Sequence, residues 1–348
     1  MKQIITLIIA LIFLSSCNKE EINISNNVSD HFYVQNGQNS SMVRVKGNAA
    51  SKIFLLYIHG GPGGDGLCYQ NKYVIDNIES RYAAVYYDQR NAGASQGAYN
   101  QEELTLDNMI DDVEKLIAVL KHRYGNDIQI FMLAHSFGGL LSSGFMTTDD
   151  NQQLLKGWIY VDGAHDYAMN DSLTRSRLLV LGNEQIAQGN KVEEWKEIVD
   201  YCNAHPSNFD FKESMKYNRM AWKAMGYLED KTSIESNDDN DAVLQMILDD
   251  KIPVTAYTLN IQANYKFMKK IIKATYSNDL YKVTIPTIVI YGKKDLVCPS
   301  ELGEALYSSI SSSDKEFVLS DISKHSPMDD DRENFYNHVI RFIEAHKE

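Results

Sequence analysis

A serine at a turn between a strand and a helix is the side chain of this sequence best suited to nucleophilic chemistry. Ser136 follows an apolar run, residues 128–133, that is typical of a buried parallel strand, and a segment able to form a helix, residues 140–147, comes soon after it. Such a sharp turn lifts the hydroxyl clear of the sheet, where a base can take its proton. The pattern from Ala134 to Gly138, small-His-Ser-Phe-Gly, also fits an ordinary turn. Other residues must therefore decide whether Ser136 is a nucleophile.

An aspartate and a histidine follow two later predicted strands. Asp295 comes after the apolar run 287–291, and His325 stands in the loop after the run 317–319. Catalytic groups of an open α/β sheet collect beyond the carboxyl ends of its strands, and a histidine held by a carboxylate can accept a serine proton. The other histidines lie on helices, ahead of the core or in a long helical segment, and the side chain of His135 should point away from the serine. The sequence thus predicts a triad of Ser136, Asp295 and His325.

A glycine-rich turn can supply the oxyanion site that acyl transfer needs. Residues 59–64, His-Gly-Gly-Pro-Gly-Gly, follow the predicted strand 53–58, and backbone N–H groups of such a turn can approach a substrate closely. We assign the two donors to Gly61 and to Phe137, the residue after the serine. The lysine and hydroxyl of a phosphate-binding loop are missing, no Gly-x-Gly-x-x-Gly follows a strand, and the histidines and cysteines lack metal-ligand spacing. The sequence therefore predicts no cofactor and no metal.

The elements that must position these groups alternate between strands and helices. Apolar runs predict strands at 53–58, 83–87, 128–133, 157–161, 286–291 and 316–319, and residues 31–45 predict an antiparallel pair at the sheet edge. One helix should start at Thr105 or Asp107 and end at Gly125. This alternation predicts an α/β protein with a mostly parallel central sheet flanked by helices, and the order serine, aspartate, histidine is that of the α/β-hydrolase fold. A helical insertion at 165–281 divides the core into residues 31–164 and 282–348.

The amino terminus resembles the signal of a bacterial lipoprotein. Lys2 precedes an apolar run, residues 4–14, too short to span a bilayer comfortably, and Leu14-Ser15-Ser16-Cys17 is similar to a lipobox. This resemblance implies a signal peptide over 1–17, lipidation of Cys17 and anchoring in the bacterial cell envelope. Residues 18–30 are polar and predict a flexible tether. The alternative is an ordinary signal peptide with an incidental cysteine.

Charge and cysteine content limit the classes of partner. The 348 residues carry a net charge of −13, whereas nucleic-acid binding requires a basic surface. The remaining cysteines, Cys68, Cys202 and Cys298, are scattered and odd in number, which does not suggest a disulfide framework. The expected partners are a small-molecule or short-peptide substrate and, through Cys17, a membrane, with no nucleic acid. The sequence leaves the oligomeric state open.

Three motifs together resemble the proline iminopeptidase branch of the α/β hydrolases. They are the turn at 59–64, the segment Tyr87-Asp88-Gln89-Arg90-Asn91-Ala92-Gly93-Ala94-Ser95, and the turn at Ser136. The resemblance extends over most of the chain from about His31. It implies that Ser136 forms an acyl-enzyme released by water without a cofactor, and that residues 165–281 form a helical cap over the active site.

Departures from the family pattern concern the substrate. Asn91 and Ala134 replace glycines, and the cap segments 221–226 and 262–265 lack the glutamates with which proline iminopeptidases bind a free amine. Three alternatives therefore stay open: cleavage of an amino-terminal residue, hydrolysis of another small acyl ester or amide, and ligand binding without catalysis. The cap aromatic and methionine residues could line an apolar acyl pocket, but packing within the cap is favoured for each of them and none is assigned as a binding residue. They include Trp195, Trp222, Tyr227, Tyr257, Tyr265 and Met268.

Overall fold

The structure is a computed structural model that describes residues 24–97, 102–205, 210–228 and 254–348, with backbone only for 254–262. Within these ranges one sheet forms the centre of the molecule. Its nine strands are β1 (Val28–Asn36), β2 (Asn39–Gly47), β3 (Ile53–Ile58), β4 (Ala83–Tyr87), β5 (Gln96–Gly97), β6 (Gln129–His135), β7 (Gly157–Val161), β8 (Thr287–Gly292) and β9 (Lys315–Ser320).

The sheet is parallel except at one edge. The strand order is β1-β2-β4-β3-β6-β7-β8-β9, with β5 paired to β2. Strand β2 runs antiparallel to β1, β4 and β5, and the other pairs are parallel. Every residue of β3, β4, β7 and β8 is buried, as expected for strands covered on both faces.

Ten helices of the described residues surround the sheet or follow its strands. They are α1 (Lys72–Val74), α2 (Leu106–Tyr124), α3 (Phe137–Thr147), α4 (Tyr167–Ala187), α5 (Val192–Ala204), α6 (Phe211–Tyr227), α7 (Val254–Ile271), α8 (Ser300–Ser309), α9 (Pro327–Asp330) and α10 (Arg332–His346). Thr105 caps α2, because its side chain accepts a hydrogen bond from the backbone N–H of Asn108, and Gly125 ends that helix. Two apolar clusters fill the space between sheet and helices.

Helices α4 to α7 lie in sequence between β7 and β8, where the helical insertion was expected. Trp195 of α5 and Tyr217 of α6 are fully buried, so this insertion has an apolar interior of its own. Residues of α4, α6 and α7 line the same cavity as Ser136. The insertion therefore contributes directly to the surroundings of the serine.

The α/β-hydrolase fold predicted from the sequence is confirmed, and two boundaries differ. Strand β1 begins at Val28, which pairs with Gly47, so residues 28–30 belong to the sheet and not to the tether. Helix α3 begins at Phe137 and not near residue 140, since Gly138 packs directly on β3: a Cβ there would lie 2.2 Å from the carbonyl oxygen of Ile58. The expected signal peptide and Cys17 fall outside the described residues. Of the helices that the structure describes, none has both the length and the apolar content to cross a bilayer.

Candidate active site

Three predicted residues meet at the carboxyl edge of the sheet. The Nε2 of His325 lies 2.9 Å from the Oγ of Ser136, and its Nδ1 lies 2.7 Å from the Oδ2 of Asp295. Ser136 follows β6, Asp295 follows β8 and His325 follows β9. These strands are parallel and end on the same side of one sheet, which brings the three side chains to one place. This continuous hydrogen-bond chain can move a proton from the hydroxyl to the imidazole while the carboxylate balances the charge.

Ser136 occupies an unusual backbone conformation, with φ 57° and ψ −121°. A non-glycine residue with positive φ is held only where the surroundings determine it. Here the N–H of Ser136 donates to the carbonyl oxygen of Val161, and the N–H groups of Gly139 and Ala164 donate to the carbonyl oxygen of Ser136. These three bonds tie the turn to its own helix and to the end of β7, which fixes the direction of the hydroxyl.

Asp295 is completely buried and fully hydrogen-bonded. Its Oδ1 accepts hydrogen bonds from the backbone N–H groups of Val297 and Cys298, at 2.7 and 3.0 Å. Its Oδ2 is thereby left for the histidine. The bonds fix the carboxylate orientation, so the Nδ1 of His325 carries the proton when the ring is neutral.

The residue before the serine holds the catalytic loops together, a role that the sequence did not suggest. As expected, His135 does not contact the serine hydroxyl in a hydrogen bond; its Nε2 instead donates to the carbonyl oxygen of His325, at 2.7 Å. Its Nδ1 lies 3.0 Å from the hydroxyl of Tyr69, which in turn accepts the N–H of Gly60. One chain of hydrogen bonds thus connects the glycine turn, the serine turn and the histidine loop. The signal in the sequence was the position alone, a polar ring at the end of a buried strand.

Replacing His135 by glutamine is expected to flatten the dependence of stability on pH. Burial lowers the pKa of His135 to about 3, below the value near 6.5 of an unfolded chain. This neutral histidine therefore stabilises the fold fully above pH 6.5, and that stability is lost as the pH falls towards 3, at up to about 1.4 kcal/mol per pH unit. Glutamine can still donate to the carbonyl of His325 but does not titrate.

Denaturant unfolding at pH 7, 6 and 5 measures this effect. As the pH falls, the free energy of unfolding of the wild type should decrease more steeply than that of His135→Gln. Burial also lowers the pKa of His165 to about 4, but this residue is present in both proteins and contributes equally to both slopes. Parallel curves for the two proteins would show that His135 titrates normally in the fold.

The glycine turn and the start of α3 present unused backbone donors beside the serine. Gly61 and Phe137 both line the cavity that contains Ser136. Within the described part of the chain, neither N–H takes part in a backbone hydrogen bond outside the regular elements. Gly61 has φ +126°, which favours glycine, and His59 holds the turn in place by accepting the N–H of Gln89. The structure thus places both residues predicted to be oxyanion donors in the lining of the cavity that contains Ser136.

The two departures from the family motifs have simple structural explanations. Asn91 has φ +55°, a region in which asparagine is the best tolerated residue after glycine. Ala134 is a fully buried residue of β6 that pairs with Ile58 and Tyr160, so its methyl group packs in the core without disturbing the turn.

A cavity of about 350 Å³ opens beside Ser136, which is a size suited to a small ligand. It is lined by the glycine turn, the start of α3 and residues of the insertion: Gly61, Pro62, Gly63, Ser136, Phe137, Ala164, Tyr167, Asn170, Asp171, Ser214, Met215, Asn218, Asn264, Tyr265, Met268, Val297 and Cys298. The lining combines apolar surface with several uncharged polar groups and one carboxyl group.

That carboxyl group, Asp171, is a site residue that the sequence did not reveal. It lies on α4 and is 4% exposed. Burial raises its pKa to about 7, and a hydrogen bond from Ser214 opposes this shift. Next to it, Asn170 donates to the carbonyl of Val297 while its Oδ1 has no hydrogen-bond partner in the described structure. Asn170 and Asp171 thus both line the cavity, and no local pattern distinguished them from other polar residues of a helical insertion.

The two cap segments that lack the family's glutamates, residues 221–226 and 262–265, both contribute residues to the surroundings of Ser136 and His325. Trp222 stands edge-on to the ring of His325, with 5.2 Å between ring centroids, and is half exposed. Asn264 and Tyr265 line the cavity, and Asn264 donates to the carbonyl of Asn91. Trp195 is buried within the cap, whereas Tyr265 and Met268 line the cavity, the alternative that the sequence had left open. The side chain of Tyr257 lies outside the described side chains.

Cys298 is a further cavity residue, and the three cysteines of the described residues are all free. Burial and the nearby Asp295 raise the pKa of the Cys298 thiol well above its usual value. The thiol is therefore protonated at neutral pH and is a weak nucleophile compared with a thiolate.

Comparisons with known proteins indicate the family and the fold of the chain. The sequence profile of the serine aminopeptidase family S33 matches residues 56–332. A proline iminopeptidase of Saccharolobus solfataricus is 24% identical over 306 residues, covering 87% of each chain. The structure is similar to that of a proline iminopeptidase-related protein of Thermus thermophilus, with a TM-score of 0.61 and 17% identity over 92% of this chain and 98% of that one. An esterase of Exiguobacterium antarcticum has a TM-score of 0.58 and 16% identity, over 90% of this chain and 100% of that one.

Structural similarity at such low identity supports the fold alone, whereas the profile match extends over more than half of the chain and includes the serine turn, Asp295 and His325. The chain therefore belongs to the serine aminopeptidase family S33, within the α/β hydrolases.

Proposed function

We propose that the protein is a serine hydrolase that cleaves an ester or amide bond through an acyl-enzyme formed on Ser136. The observation that carries this proposal is the hydrogen-bond chain from Ser136 through His325 to Asp295, with distances of 2.9 and 2.7 Å, at the edge of an accessible cavity. A nucleophile, its base and the group that orients the base are the three parts such chemistry requires.

Each step of the reaction has a named residue. The Oγ of Ser136 attacks the substrate carbonyl while His325 takes its proton, and the N–H groups of Gly61 and Phe137 stabilise the oxyanion. The intermediate then expels the alcohol or amine, which receives the proton from His325. Water attacks the acyl-enzyme with His325 again as base, and the carboxylic acid leaves as Ser136 recovers its proton.

Fluorophosphonate labelling tests this proposal independently of the substrate. The proposal requires one label per chain, attached to Ser136, because an activated serine hydroxyl displaces the fluoride. Labelling at any other residue, or no labelling of folded protein, would instead support the third alternative, a ligand-binding protein without catalysis.

Asp171 favours substrates with a free amine, as the proline iminopeptidase relatives suggest. An ammonium group needs an acceptor, and Asp171 is the only carboxyl group among the described residues that line the cavity of Ser136. An ammonium close to Asp171 would also favour its charged form and so offset the effect of burial on its pKa. The glutamates expected in two other cap segments are thus replaced in this proposal by an aspartate of α4. The alternative is a carboxylesterase or amidase for another small acyl group, which would not need the charged form of Asp171.

Replacing Asp171 by asparagine should remove the preference for a free amine. The measurement is the ratio of kcat/KM for a prolyl arylamide to that for its N-acetylated counterpart. We expect this ratio to fall about 30- to 5000-fold, because a buried ion pair that loses one partner costs about 2–5 kcal/mol. Asn218→Ala, which changes an uncharged polar residue of the same cavity, serves as the matched control and should leave the ratio unchanged.

Other outcomes would separate the substrate classes. A wild-type enzyme that hydrolyses neither arylamide but does hydrolyse a short-chain aryl ester would favour the carboxylesterase alternative. A strong preference for the free amine that survives Asp171→Asn would place the amine site elsewhere in the cap.

We also propose that Cys17 is lipidated and anchors the protein in the bacterial cell envelope, as the resemblance of residues 14–17 to a lipobox suggests. Mass spectrometry of the mature amino terminus would detect the acyl chains. An unmodified Cys17, or full membrane association of a Cys17→Ala variant, would contradict the anchor.

A further inference from the structure

A second buried carboxyl group lies beside the histidine of the active site. Asp162 follows β7 directly, and Asp295 follows β8, the parallel neighbour of β7. A carboxylate oxygen of Asp162, a ring nitrogen of His135 and a ring nitrogen of His325 all lie within 4.8 Å of one another. His325 is therefore close to carboxyl groups from two adjacent strands.

The position of Asp162 is fixed by the backbone. Its N–H donates to the carbonyl of Ile290, and its Oδ1 accepts the N–H of Gly292, at 2.8 Å. Its φ is 40°, a conformation that aspartate and asparagine tolerate better than most residues. These bonds hold the side chain at the same edge of the sheet as Asp295.

The second oxygen of Asp162 is unusual. Its Oδ2 is buried without a hydrogen-bond partner among the described residues, and the residue has no exposed surface. A charged carboxylate in this state would be costly. Burial and the nearby charges of Asp295 and Asp330 raise the pKa of Asp162 well above its usual value, and His135 next to it is neutral because burial lowers its pKa to about 3. The second oxygen of Asp162 therefore lies buried beside His325 without a partner among the described residues, and burial favours the protonated form of this carboxyl group.

We propose that Asp162 is a second acidic partner of His325, a positioning residue that takes up negative charge beside the imidazole when the charge of Asp295 is absent. The proposal extends the serine-hydrolase function proposed above, since it assigns a role to a residue outside the Ser136–His325–Asp295 chain. The step is a simple ionisation: Asp162 releases a proton to solvent, no other bond is formed or broken, and the carboxylate then stabilises the protonated imidazole.

The test compares the effect of Asp162→Asn in two backgrounds. Asparagine keeps the oxygen that accepts the Gly292 N–H and tolerates the positive φ, so the fold should be retained. We expect Asp162→Asn to lower kcat/KM at least about tenfold more in the Asp295→Asn background than in the wild type, which corresponds to a coupling of about 1.4 kcal/mol. Equal factors in both backgrounds are the signature of a purely structural role and would overturn the proposal.

The pH profile gives a second readout. The residual activity of Asp295→Asn should rise with pH as Asp162 ionises, and this rise should disappear in the Asp295→Asn/Asp162→Asn protein. A rise of equal size in both proteins would also overturn the proposal.

A measurement without catalysis separates this proposal from the proposed function. NMR titration of His325 should give a pKa about one unit higher in Asp295→Asn than in the double variant, because a carboxylate within about 4–6 Å favours the charged ring. Equal values would exclude Asp162 as a partner of His325. If the wild type hydrolyses no acyl substrate, the proposed function fails while this titration still decides the role of Asp162.

Discussion

Ser136→Ala is expected to lower kcat about 10⁴- to 10⁶-fold towards any substrate that the wild type hydrolyses. Without the hydroxyl no acyl-enzyme can form, and only substrate binding and oxyanion stabilisation remain to accelerate attack by water. The hydroxyl is the only group removed, and the backbone bonds that hold the turn, such as that from the N–H of Ser136 to Val161, do not involve it. The variant should therefore fold, which circular dichroism and a thermal melt will show.

Ser143→Ala is the matched control for this variant. Ser143 is a fully buried serine of α3, and its hydroxyl donates to the carbonyl of Gly139. Its loss is expected to affect stability more than activity, since it lies outside the Ser136–His325–Asp295 chain. A Ser136→Ala protein with a wild-type rate would reject the serine-hydrolase proposal outright.

His325→Gln is expected to cause a loss of similar size, about 10⁴- to 10⁶-fold in kcat, because an amide cannot accept the proton of Ser136. The double variant Ser136→Ala/His325→Gln should be no less active than Ser136→Ala alone. Groups that act as one unit are not additive, since removing either already disables the other. Steady-state rates of the three variants on one activated ester provide the measurement.

His338→Gln controls for the loss of a histidine elsewhere. His338 lies on α10, close to Glu316 and Arg341. The His338→Gln variant should therefore hydrolyse the ester at the wild-type rate. If the losses of Ser136→Ala and His325→Gln instead multiply in the double variant, the two residues act independently, and the hydrogen bond between them is not part of the reaction path.

Local sequence patterns were sufficient to predict the fold and the order in which the residues of the candidate site occur along the chain. Continuous apolar runs and helical spacing report burial along a single element, so the strands at 53–58, 83–87 and 157–161 were predicted at their observed bounds. Asp295 and His325 come just after strands, which predicts that they lie at the same edge of the sheet as Ser136, because parallel strands all end on the same side. The glycine turn at 59–64 was visible for a similar reason: glycine marks backbone conformations that other residues avoid.

Residues whose roles depend on contacts between distant elements could not be found in this way. His135 acts through Tyr69 and the carbonyl of His325, which lie 66 and 190 positions away. Asp171 became a cavity residue only through the way the insertion folds over the serine. In a helix of an insertion, an aspartate is usually a solvated surface residue, and nothing in its neighbours signals burial.

The sequence by itself thus predicted which residues form the candidate site and in which order they follow the strands. Tertiary structure alone decided the charge states and the surroundings of the site: a neutral His135, a raised pKa for Asp162 and Asp171, and a cavity of about 350 Å³. The physical reason is that strand and turn formation depend on neighbouring residues, whereas burial of a titratable group depends on segments that approach it from far along the chain.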